Sequence, residues 1–148
     1  MRFWRWSRLA VALVCSAVTV FAVSWLKNPY SRPADGVCVE REYYLYSPSS
    51  QAKIMESVGL ADAFFLTGEK ATFCFESESA AAEYVCALLK EEGAKIVSEE
   101  AWGDVKSVYA YAANREKGIR LPCGRVNLHV VVQGARVQVG TPIIFGGY

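Results

Sequence analysis

Histidine occurs once in this chain, at position 129, and that scarcity removes several chemistries at the outset. Neither an H-E-x-x-H zinc helix nor an EF-hand loop is present, so a metal would have to be held by one imidazole with scattered acids or thiols. The five cysteines include no C-x-x-C: the nearest pair, Cys74 and Cys86, is twelve residues apart, which excludes a redox dithiol and a zinc knuckle. Phosphate-binding loops are missing too. Gly134 and Gly140 bracket an apolar stretch with no lysine after it, and Gly146-Gly147 precedes no helix. Lysine and arginine are nowhere massed on one stretch, so the electrostatic footprint of a nucleic-acid binder is absent. No cofactor is expected.

Acidic residues are absent from the first 26 positions. Arg2, Arg5 and Arg8 precede Leu9 to Leu26, LAVALVCSAVTVFAVSWL, eighteen residues without a charge. As a helix this run spans roughly 27 Å, close to the hydrocarbon thickness of a bilayer, and the arginines bias the amino terminus to the cytoplasm. The rest of the chain is then extracytoplasmic. Trp25 and Lys27 suit the outer interface of a retained anchor, whereas Ala22-Val23-Ser24 fits cleavage of a signal peptide before Trp25, which would make the protein secreted. Residues 1–26 are therefore read as a signal anchor or signal peptide. Residues 27–36, KNPYSRPADG, read as a linker. Residues 37–148 form one exported domain, mildly acidic, with thirteen basic against fifteen acidic residues beyond position 26.

Within that domain, 37–46 is rich in β-formers, with Tyr44 and Tyr46 expected on one face and Tyr43 and Leu45 on the other. A short helix is expected over 49–58, and a hairpin over 63–75 turning at Gly68-Glu69-Lys70. Glu78 to Glu92 has helical apolar spacing, Ser77 or Ser79 as N-cap and Gly93 past its end. Strands follow at 94–98 and 105–112, joined across 99–104 with a turn at Gly103-Asp104, and then a charged loop at 114–118. In 125–132, Val126, Leu128, Val130 and Val132 alternate with Asn127, His129, Val131 and Gln133, and Gly134 turns the chain into 135–139. Residues 141–145 form a last apolar segment. The fold class is α+β, an antiparallel curved sheet with one main packed helix. Cys38, Cys74, Cys86 and Cys123 read as small buried hydrophobes, although an oxidising exterior also permits three pairings among them.

Two features repeat at nearly constant offset. Tyr44-x-Tyr46 recurs as Tyr109-x-Tyr111, and Phe65 to Gly68 as Val131 to Gly134, which suggests a duplicated unit with Gly68 and Gly134 in equivalent turns. The run VNLHVVVQGARVQVGTPIIFGGY, residues 126–148, with the earlier YYLYSPSSQA, resembles short clostridial members of the YwmB-like family. That resemblance implies a fold like the TATA-box-binding protein, itself a duplicated curved sheet, in an exported protein from a cell-envelope and sporulation setting. It implies no catalytic motif.

Ser50-Gln51-Ala52-Lys53 fits the S-x-x-K of penicillin-binding enzymes, which would set a cell-wall acyltransferase or hydrolase on a Ser50 and Lys53 pair. Its companion motifs, Ser-Asp-Asn and Lys-Thr-Gly, do not occur. The leading expectation is a non-enzymatic module that binds an envelope protein or cell-wall component, with no catalytic or metal residues. Asn127, His129 and Gln133 are expected to line an open sheet face as its ligand-binding side. The membrane is engaged through residues 9–26, and nucleic-acid binding would follow only by analogy of fold.

Overall fold

The computed structural model describes residues 37–46, 53–59, 62–115 and 118–145. By contacts the chain divides into units 1–31 and 32–148, and every described residue belongs to the second. The apolar run 9–26, Ser50 and Cys15 lie outside the described residues, as does the side chain of Cys38. No helix among the described residues is long and apolar enough to cross a membrane.

The architecture is α+β, as the residue patterning implies. Strands β1 (Val37–Leu45), β2 (Lys53–Met55) and β3 (Leu66–Cys74) precede helix α1 (Glu78–Glu91). Then come β4 (Lys95–Trp102), β5 (Val105–Tyr111), β6 (Ile119–Leu121), β7 (Gly124–Val126), β8 (Leu128–Gln133) and β9 (Arg136–Thr141). Seven of these form one sheet in the order β2-β1-β3-β9-β8-β5-β4, every ladder antiparallel, while β6 and β7 make a separate hairpin. Helix α1 carries the chain from β3 in the middle of the sheet to β4 at its far edge.

Cross-strand partners share a face, so the ladders sort the side chains. Phe73 meets Tyr84 of α1 at a ring separation of 5.5 Å, which identifies the helix side. In register with it lie Ala71, Val137, Val139, Val130, Val132, Leu128, Val108 and Ala110, an apolar layer that Ala81, Tyr84, Val85 and Leu88 of α1 complete. The register expected for Leu128, Val130 and Val132 therefore holds. Helix α1 starts where Ser77 accepts the Ala80 N–H (3.2 Å) and stops at Gly93, whose φ of 57° is open to glycine at little cost.

Several expectations need correction. Gly68-Glu69-Lys70 is no turn but the middle of the nine-residue β3. Its charges do not force a loop: Lys70 Nζ lies 3.0 Å from Glu42 across the ladder, and the upward push of burial on the Glu69 carboxyl is partly offset by the charges of Arg41 and Arg115. Gly68 thus cannot match Gly134, which does occupy a turn, with φ 56°, and the proposed equivalence of the two halves fails at that pair. Tyr44 and Tyr109 do hold corresponding places, each on the strand next to an edge strand and on the face away from α1.

The helix expected over 49–58 is contradicted at 53–55, where the chain pairs with the free edge of β1. The first strand does not alternate cleanly: a register shift between Tyr44 and Leu45 buries both, and Tyr46 is exposed. Strand β4 runs on to Trp102 because Gly103, at φ 60°, and Asp104 turn the chain in two residues. The β6–β7 hairpin, unforeseen, packs against β5 and β4. Cys74, Cys86 and Cys123 are free and exposed, so the buried reading fails for these three.

Residues 142–145 form a strap folded over the face away from α1. The positions beneath it lack side chains for a reason: a Cβ on Gly68 would stand 2.1 Å from the Thr141 carbonyl oxygen, and one on Gly140 would stand 2.5 Å from Ile144 Cγ1. Gly68→Ala should therefore cost about 1–3 kcal/mol through overpacking. The check is the urea midpoint; one equal to wild type would mean that Thr141 and Pro142 do not crowd β3.

Candidate functional site

The face away from α1 carries polar and aromatic side chains at the alternate positions of the same strands: Glu42, Tyr44, Lys70, Thr72, Gln138, His129, Ser107 and Tyr109. It was expected to be open, with Asn127, His129 and Gln133 on display. Only Gln133 is exposed, its amide 3.1 Å from Asp104 Oδ2. Asn127 is wholly buried because its side chain stands in for a strand. Its Oδ1 accepts the Ala112 N–H and its Nδ2 donates to the Ala112 carbonyl, both at 2.7 Å, with a second bond to the Arg115 carbonyl at 3.0 Å. That amide separates β7 from β8, which the alternating pattern had joined into one strand.

His129 is buried because the strap crosses it. Its Nδ1 accepts the Ile144 N–H at 3.2 Å and its ring stacks on Tyr109 at 4.3 Å, with the Tyr109 hydroxyl 3.4 Å from Glu100. Burial pushes the imidazole down to about 4, so it is neutral at pH 7. Next along the strap, Phe145 donates its N–H to the Tyr44 hydroxyl at 3.2 Å and sets its ring edge-on to Tyr44 at 5.1 Å. Burial pushes the Tyr44 phenol up to about 12. Of the two imidazole nitrogens, Nδ1 is engaged by the Ile144 amide and Nε2 is enclosed.

The row Thr72, Gln138, Val131 and Ser107 crosses the middle of this face and is also buried. Thr72 Oγ1 and Gln138 Oε1 are enclosed and make no hydrogen bond among the described residues, a local cost to stability. The cations of the face are neutralised by glutamates of β1, Lys70 by Glu42 at 3.0 Å and Arg136 by Glu40 at 3.8 Å. No group of histidine, cysteine and acidic residues that could hold a metal exists among the described residues. Lys53 lies exposed on the edge strand β2, and Ser50 lies outside the described residues.

Large apolar side chains are exposed at both edges of the sheet: on β4, where Trp102 is 89 % and Ile96 51 % exposed, and near the opposite edge, beside β2. Tyr46 is 66 % exposed, Phe65 58 %, Ile54 48 % and Phe145 38 %. These four come together through the fold. Tyr46 donates its N–H to the Phe65 carbonyl at 2.7 Å, Ile54 stands opposite Tyr44 in the β1–β2 ladder, and Phe145 rests against the same Tyr44 ring. Periodicity could not find this cluster, since its members come from β1, β2, the 3-10 turn Asp62–Phe65 and the strap. Large apolar side chains gathered at a surface, beside an edge strand of three residues, are the signature of a contact surface. No family model, no curated protein and no solved structure matches the chain.

Proposed function

We propose that residues 37–148 are a non-enzymatic binding module of the bacterial cell envelope, held at or exported across the membrane by residues 9–26, and that it engages a protein partner through Tyr46, Ile54, Phe65 and Phe145. The observation that carries this reading is the convergence of those four exposed side chains around the buried Tyr44. An envelope location rests on Arg2, Arg5 and Arg8 ahead of the uncharged run. The seven-stranded antiparallel sheet with one helix is compatible with a curved sheet like that of the TATA-box-binding protein, and so with the YwmB-like resemblance.

Two other readings are disfavoured by particular contacts. Nucleic acid would require unpaired cations, whereas Lys70 and Arg136 on the sheet face meet Glu42 and Glu40. A cell-wall enzyme would require an active lysine near its serine, and Lys53 sits in an edge strand. Of the residues first expected to contact a ligand, Gln133 alone remains accessible.

The test is capture of a partner from envelope extract by the exported protein, compared with an Ile54→Asp, Phe65→Ser double variant. Capture should be lost with the unfolding free energy changed by no more than about 1 kcal/mol, because both side chains are exposed. Glu83→Ala on the outer side of α1 should leave capture intact. Equal capture by all three proteins would remove the apolar cluster as the site.

A further inference from the structure

The two edges of the main sheet are unlike. Strand β2 closes one with three residues, whereas β4 leaves the other with eight, Lys95 to Trp102, and no strand pairs with its outer side among the described residues. Six of the eight are exposed, Ile96 and Trp102 among them, and no proline interrupts the run. Backbone groups along such an edge are open to a further strand. The two-residue turn at Gly103-Asp104 makes Trp102 and Val105 the closing, mutually bonded pair of the β4–β5 hairpin, so Glu99 and Ala101 turn their N–H and C=O groups outward. We propose that the occupant of this edge is β4 of a second copy of the chain, paired antiparallel about a twofold axis at Glu99.

The strand complements itself in that register. Its ladder with β5 puts Ile96, Glu99 and Ala101 on the α1 side and Lys95, Ser98, Glu100 and Trp102 on the other, with a bulge between Ile96 and Ser98. A twofold axis normal to the sheet leaves each side chain on its own face, and with Glu99 opposite its copy the two bulges fall symmetrically about the centre. Lys95 then stands opposite Trp102 of the second copy, Ile96 opposite Ala101, and Ser98 opposite Glu100, every pair on a shared face. A slip of one residue would set each pair on opposite faces. Charge fits the same register. The strip holds Lys95 and Lys106 with Glu99 and Glu100, so each cation of the pair of strips has a carboxylate to match it. The like charges at the axis are flanked by the two Lys106 ammonium groups, each 3.1 Å from its own Glu99. Lys95 meets the Trp102 ring of the other copy, beside Glu100 on that face. A strand of one sign would leave either the lysines or the glutamates unmatched.

The cluster of Tyr46, Ile54, Phe65 and Phe145 lies beside the opposite edge, so this pairing leaves both clusters free and makes the assembly bivalent. Only that consequence rests on the proposed function; the pairing is tested without a partner. Sedimentation equilibrium of the full chain in density-matched detergent micelles should show a reversible monomer–dimer equilibrium. Ala101→Pro removes an outward N–H and obstructs the edge while sparing the β4–β5 hydrogen bonds, and should give a monomer that still unfolds cooperatively. Ser98→Lys, opposite Glu100, should tighten the dimer about two- to thirtyfold and Ser98→Glu weaken it by a similar factor, since each dimer holds two such pairs. These two variants decide the register should Ala101→Pro fail to fold. The Ile54→Asp, Phe65→Ser double variant should dimerise as wild type does. A wild-type monomer at every concentration, a dimer surviving in folded Ala101→Pro, or equal dimerisation of Ser98→Lys and Ser98→Glu would overturn the pairing. Loss of the dimer in the Ile54→Asp, Phe65→Ser variant would overturn it too, by moving the contact to the apolar cluster. A dimer that captures no envelope protein would leave the pairing standing and remove the proposed function.

Discussion

Arg115→Ala should destabilise the domain by about 3 kcal/mol, near the lower end of the range for breaking a buried ion pair. Arg115 reaches Glu92 with two nitrogens, Nε at 3.1 Å and Nη2 at 2.6 Å, and Thr141 with the third at 2.9 Å. Its side chain and that of Glu92 are 9 % and 12 % exposed, too little for water to replace the lost partner. Glu92 is also the C-cap of α1, where the carbonyl end of the helix repels a carboxylate. Burial by itself would raise the Glu92 carboxyl, but the hydrogen bond and charge of Arg115, with Asn114, hold it below the usual range. This pair therefore stabilises the fold above the ordinary carboxylate range, and the contribution is lost as the pH falls through the lowered value. In Arg115→Ala burial prevails, and that part of the acid sensitivity should vanish. The double variant Arg115→Met, Glu92→Met should recover most of the loss, because the desolvation cost goes with the charges. Urea unfolding of the three variants measures this, and a double variant as unstable as Arg115→Ala would show that the arginine acts through packing instead.

Leu88→Ala should cost about 2–5 kcal/mol, the usual range for emptying a well-packed core position. Leu88 is fully buried and lies on the side of α1 that closes over the apolar layer of the sheet. Leu89 is only half-buried, so Leu89→Ala should cost less, and Glu91→Ala, at an exposed position, less than about 0.5 kcal/mol. Helical spacing alone does not distinguish the two leucines. Chemical denaturation gives the ranking directly, and three equal values would place α1 away from the sheet.

How legible each element was depended on where its hydrogen-bonding partners lie. Helix α1 was readable because its determinants are local: Ser77, the spacing of Ala81, Tyr84, Val85 and Leu88, and Gly93. Strand β3 was misread because Lys70 finds its partner 28 residues before it, at Glu42, and a charge neutralised at that distance is indistinguishable in sequence from one in a loop. The same holds for Asn127, whose amide answers Ala112, and for His129, covered by a strap that begins only at 142. Alternation in 126–132 correctly separated the two faces of β8, yet it could not say that both would be covered. The apolar cluster was least legible, since four segments supply one side chain each.

The central claim is that Tyr46, Ile54, Phe65 and Phe145 meet a protein partner, and a photo-reactive phenylalanine analogue placed at position 54 in the full chain tests it most directly. In living cells, irradiation should give one discrete adduct at that position and none with the same analogue at Glu83, on the outer side of α1. Adding Phe65→Ser should abolish it. No adduct from position 54, or equal adducts from positions 54 and 83, would contradict the account.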